Sequence, residues 1–87
     1  MVEGGSIKRI LVDITAPTDM ELNFIAKELL SLEGIKKVKI KVDEVEEDIK
    51  HLSVEILGND LQPEKIEDKI LELGLALHGI DELEVER

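Results

Sequence analysis

The 87-residue chain contains no cysteine, tryptophan or tyrosine, and Phe24 is its single aromatic residue. Without thiols it has no disulfide staple, no thiolate metal site and no cysteine nucleophile. That usage fits a cytosolic setting. Without aromatics it offers no stacking platform for bases. No stretch approaches the ~20 apolar residues of a membrane-spanning helix, and the first residues lack the pattern of a secretory signal. Positive charge is scarce as well. Eleven Lys and Arg face 21 Asp and Glu, a net charge of −10 that repels nucleic acid unless a strong basic patch exists. Neither a nucleic acid nor a membrane is therefore expected as a partner.

What is present is an ordinary hydrophobic fraction, 43%, supplied almost wholly by aliphatic side chains. Residues 1–87 read as a single domain, with residues 1–6 as a flexible, small and polar lead-in. The charge is uneven. Residues 1–42 hold seven bases and six acids, whereas 43–87 hold four bases and fifteen acids. Two acidic blocks, 43–48 and 81–86, account for most of the imbalance. They read as a solvated turn and a fraying end; the sharper reading is a surface for a hard cation or a basic partner. Abundant Lys and Glu with few Asn and Gln also matches the composition of heat-adapted proteins.

Hydrophobic periodicity divides the chain into six elements. Ile7 to Ile14 is β-branched and alternating, which predicts a strand that stops at Ala16-Pro17. Thr18 and Glu21 have the spacing of a capping box. Leu22, Ile25, Ala26, Leu29 and Leu32 then recur at helical spacing until Gly34. From Ile35 the period becomes two. Val38, Ile40 and Val42 alternate with Lys37, Lys39 and Lys41, as in an edge strand guarded by lysines, or alternatively an anion-binding face. Leu52, Val54 and Ile56 form the next alternating set. Pro63 suits a first helical turn, Ile66, Ile70 and Leu73 form an apolar stripe before Gly74, and Leu75 to Val85 closes as a strand.

The order β-α-β-β-α-β, with one apolar stripe per helix, places both helices on one face of a four-stranded antiparallel sheet. Strand order 4-1-3-2 satisfies right-handed crossovers in both halves. The expected class is therefore α+β, a ferredoxin-like βαββαβ sandwich.

The helix-free face then carries Arg9, Leu11 and Asp13, Lys37, Lys39 and Lys41, His51, Ser53, Glu55 and Leu57, and Ala76, His78 and Ile80. This register puts His51 and His78, the two histidines of the chain, on either side of Asp13 at about one strand spacing, ~4.8 Å. Two imidazoles and a carboxylate are first-shell donors for a divalent transition metal, and Asp81 stands near enough in sequence to be a fourth. The expected metal site is thus Asp13, His51, His78 and Asp81. Plain hydrogen-bonding roles for both histidines, or Asp13 orienting His78 within a pH-sensitive subunit contact, are the competing readings. Leu11, Leu57, Ala76 and Ile80 on the same face call for burial against a second copy, so a homo-oligomer through strand faces or edges is expected.

Catalytic signatures are missing from the places where this fold carries them. The first strand–helix connection, Thr15-Ala16-Pro17-Thr18, has neither a glycine-rich phosphate loop nor the cysteine pair of a copper chaperone. It also lacks an arginine-bearing anion cradle and the glycine usual in amino-acid-sensing domains. Ser6, Ser31 and Ser53 have no nucleophile-elbow context, and residues 43–48 do not match a calcium-binding helix–loop–helix.

Several segments carry a family likeness. They are Arg9-Ile10-Leu11-Val12-Asp13-Ile14 running into Pro17, then Leu32-Glu33-Gly34-Ile35 leading to Asp43-Glu44-Val45, and finally Leu77-His78-Gly79-Ile80-Asp81-Glu82-Leu83. In that order and spacing, over about residues 6–86, the chain resembles the small archaeal proteins of the DUF211 family. Gly79 stands where the family typically has serine. The resemblance implies a ferredoxin-like fold, an archaeal cytosolic setting and assembly into homo-oligomers, and it implies no activity. The functional expectation is a non-enzymatic, oligomeric binding or scaffold protein with a divalent metal as its cofactor. The alternative is a sensor domain binding an amino-acid-like small molecule between subunits.

Overall fold

The computed structural model describes residues 4–87. Its elements are β1 (Ser6–Pro17), α1 (Leu22–Leu30), β2 (Ile35–Val45), β3 (Ile49–Gly58), α2 (Pro63–Glu72) and β4 (Ala76–Glu86). One sheet runs β2-β3-β1-β4, with each neighbouring pair antiparallel. Read from the other edge this is the expected order 4-1-3-2, and the architecture is the ferredoxin-like βαββαβ fold. Of the lead-in expected over 1–6, residues 1–3 lie outside the described residues, and Ser6 is already paired with Glu86.

The core forms where the two periodicities meet. Ile10, Val12, Ile14 and Ala16 of β1 and Leu52, Val54 and Ile56 of β3 are all at most 1% exposed. Ile25 and Leu29 of α1 and Ile66 and Ile70 of α2 join the same cluster. Each helix therefore buries the stripe that its i, i+4 spacing provides. Strands of 11 residues reach about 37 Å, whereas helices of 9 or 10 reach only ~15 Å. The sheet consequently runs past its helical cover, and the molecule measures 49 × 22 × 18 Å. Aliphatic side chains at the strand ends, such as Val45, Leu83 and Val85, are left exposed.

Two local signals resolve differently from one another. Gly74 directly follows Leu73, the C-cap of α2, with φ of +85°, the left-handed conformation that glycine adopts without a Cβ penalty. α1 already stops at Leu30, and Gly34, with φ of +89°, turns the chain into β2 instead of ending the helix. The capping box, by contrast, does not form. Glu21 is the N-cap of α1 and makes no side-chain cap bond. Thr18 is held elsewhere: its N–H donates to the Asp48 carbonyl at 2.9 Å, and its hydroxyl lies 3.4 and 3.3 Å from the carbonyls of Glu46 and Glu47. A threonine that ties down the β2–β3 turn has no hydroxyl free for its helix.

Candidate functional site

The β2–β3 turn gathers the charged side chains most tightly. The Glu46 N–H donates to the Ile49 carbonyl at 2.8 Å and closes the hairpin, and Thr18 clamps it from the β1–α1 connection. A register shift between Val42 and Glu44 leaves Asp43 without a cross-strand partner and sets Glu44 directly opposite His51. The His51 Nε2 then lies 2.9 Å from Glu46 Oε2. Donor atoms of Glu44, Glu46 and His51 all lie within 4.8 Å of one another. Two ligands on one ion stand at most about 4.4 Å apart, twice a ~2.2 Å bond, so small rotamer changes bring the three onto one cation. Both carboxylates are exposed and His51 is half-buried, which leaves room for water ligands.

The four residues expected as a metal site do not gather. His51 pairs with Thr15, two positions from Asp13, because β3 begins at Ile49 opposite Pro17, a register that sets Ser53 against Asp13. Asp13 stands between Ser53 and Gly79. A register shift between Asp13 and Ile14 makes His78 an extra residue in β4, and its Nε2 contacts the Thr15 hydroxyl. A second shift between Leu11 and Val12 makes Asp81 another extra residue. The histidines do flank one β1 residue, but it is Thr15. Ile80 also differs from expectation: it pairs with Val12 and lines a groove with Ile10, Val12, Ile66 and Ile70, on the helix side of the sheet.

Arg9 organises the middle of the open face. Its guanidinium bonds Glu55 through Nε and reaches Glu82 at 2.8 Å and Glu84 at 3.7 Å, joining β3, β1 and β4. The hydrogen bond from Arg9 holds the Glu55 carboxyl below its ordinary range, against the opposing effect of burial and with help from Lys39 and Lys37. Arg9 is correspondingly pushed above its own ordinary value by Glu55 and Glu82. With one cation to three carboxylates the cluster stays net negative, and it acts as a cross-strand brace.

The model of one family, described as "Uncharacterized ArCR", matches residues 8–86 of this chain. The chain belongs to the DUF211 family. The uncharacterized protein MJ0319 of Methanocaldococcus jannaschii is 36% identical over 79 residues, covering 91% of this chain and 81% of the relative. Membership extends over β1 through β4 and therefore includes both the hairpin donors and the Arg9 brace. Among the described residues no helix is long and apolar enough to cross a membrane.

Sequence reading had missed Glu44 and Glu46 as partners of His51. The available signal was the acidic run immediately before His51 across a tight hairpin. An i, i+5 contact of this kind follows directly from a two-strand turn.

Proposed function

We propose that this DUF211 protein is a non-catalytic, homo-oligomeric binding protein of the cytosol that takes a divalent cation through Glu44, Glu46 and His51. The observation that carries the reading is the convergence of two carboxylates and one imidazole within 4.8 Å at a clamped turn. Two oxygens and one nitrogen, with positions left for water, suit borderline cations such as Zn²⁺ or Mn²⁺. Assembly is supported by Val42, Val45, Ile80, Leu83 and Val85, all exposed large aliphatics on the two edge strands. The heat-adapted composition suits such a scaffold.

Calorimetric titration of chelator-treated protein with Zn²⁺ and Mn²⁺, paired with thermal melting, tests the cation site. Saturation at about 100 times Kd stabilises the native state by about 2.7 kcal/mol and raises the melting midpoint. Glu46→Gln and His51→Ala abolish that rise, while His78→Ala leaves it intact. Retention of full affinity in His51→Ala contradicts the assignment.

A second reading, a small-molecule sensor, draws on a groove of about 200 Å³ beside β4, lined by Ile10, Val12, Ile66, Ile70, Leu77 and Ile80. Its position at a sheet edge would let a second copy close over an amino-acid-like ligand. In the same melting assay, a shift produced by amino acids but by no cation selects this reading.

A further inference from the structure

The two edges of the sheet are complementary to each other. β2 and β4 lie at opposite edges, and each is 11 residues long. The chain of antiparallel pairings from β2 through β3 and β1 to β4 makes the two edges run in opposite directions. A second copy in the same orientation therefore presents its β2 antiparallel to the free side of β4, continuing the sheet's own pattern. Aligning the start of β2 with the end of β4 sets Lys37 opposite Glu84, Val38 opposite Leu83 and Lys39 opposite Glu82, up to the extra residue Asp81, where the register shifts.

The faces agree with this pairing. Glu82 and Glu84 lie on the open face, since both reach Arg9. Lys39 pairs with Glu55, which shares Arg9, so the lysine row occupies the same face. On the other face Val38 packs against the core and Leu83 pairs with the buried Ile10. Opposite charges thus meet on one side and aliphatics on the other, and cross-strand pairs of both kinds stabilise an antiparallel sheet. The two carboxylates are 56% and 58% exposed, which leaves acceptor capacity beyond Arg9. Pairing two like edges has the opposite consequence. β2 on β2 sets Lys39 against Lys41, and β4 on β4 sets Asp81 against Asp81 and leaves Glu82 opposite Ile80, so neither gains the lysine–glutamate pairs.

We propose that copies of this chain join head to tail, the β2 edge of one pairing with the β4 edge of the next. This rests on the homo-oligomeric reading above and specifies its surface. Such an interface is heterologous, so it propagates until a ring closes or a filament grows. It also covers two edges that would otherwise expose unpaired backbone groups.

Light scattering after size exclusion tests the pairing with two charge-reversed forms of the full chain. One carries Lys37→Glu and Lys39→Glu, the other Glu82→Lys and Glu84→Lys, and far-ultraviolet circular dichroism checks that each is folded. The wild type is expected to run as a multiple of the single-chain mass and each variant as a single chain. An equimolar mixture of the variants is expected to recover the assembly, because each reversed edge then meets its complement. Where a reversed form fails to fold, Lys37→Cys mixed with Glu84→Cys decides. Directly opposed positions cross-link on oxidation, and neither variant cross-links alone. A single-chain wild type overturns both this pairing and the oligomeric reading. A wild-type assembly that survives either reversal, or a mixture that neither recovers nor cross-links, overturns the pairing and leaves the oligomeric reading standing.

Discussion

The central and outer strands carry the same alternating pattern yet end in different environments. Leu52, Val54 and Ile56 of β3 are 0% exposed. Val38, Ile40 and Val42 of β2 alternate as cleanly, but the first two are only half-buried and Val42 is 39% exposed. In β4 no residue is buried at all. A central strand has neighbours on both sides and the helices across its face, while an edge strand has one neighbour, and here it also outruns the helices. Alternation therefore tells which face a side chain joins and leaves its depth to the topology. The buried side chains of the sheet are concentrated in β1 and β3, and β2 and β4 keep most of theirs exposed.

Truncating the core is the strongest way to break this comparison. Ile14→Ala or Ile56→Ala is expected to cost about 3–4 kcal/mol, as for fully buried aliphatics. Val85→Ala, at a position 51% exposed, is expected to cost under about 0.5 kcal/mol. Chemical denaturation of dilute protein measures both, and equal losses would contradict the division.

Glycine positions sharpen it. At Gly58, where β3 ends, an added Cβ would strike the Gly34 carbonyl, a backbone atom that cannot step aside. Gly58→Ala is expected to cost about 1–3 kcal/mol. Nothing lies within 4 Å of a Cβ at Gly79 on the edge strand, so Gly79→Ala should shift the denaturation midpoint little.

The smallest effect is the acid response of the Arg9 brace. Glu55 has a lower pKa folded than unfolded, so its contribution is present above the ordinary value of 4.5 and is lost as pH falls through the depressed one. Melting temperatures taken on descent from neutral pH should fall in that acid range. Glu55→Gln should be less stable near neutrality and should show a shallower acid fall.

The fold was legible because the main signals agreed: two helical stripes, alternating strands, and for α2 a proline at its start and a glycine just past its end. The site was less so. Strand alternation encodes faces but carries no mark for an extra residue: the shifts at His78 and Asp81 displaced two expected metal ligands, and the one at Asp43 brought Glu44 opposite His51. The β1–β3 register mattered equally, since pairing Pro17 with Ile49 sets His51 opposite Thr15 instead of beside Asp13. Thr18 failed as a cap for a related reason, because its partners are carbonyls some 30 residues away that no local motif reveals.

Amide hydrogen exchange on the assembled wild type and on the Lys37→Glu/Lys39→Glu variant tests the central claim most directly. The division of labour between core and edges predicts slow exchange throughout β1 and β3 in both samples. It also predicts that the outward amides of β2 and β4 are protected in the wild type and exposed in the variant. Outward edge amides that exchange freely in the wild type at concentrations where the chain is assembled, or β1 and β3 amides that exchange as fast as the edges, would contradict it.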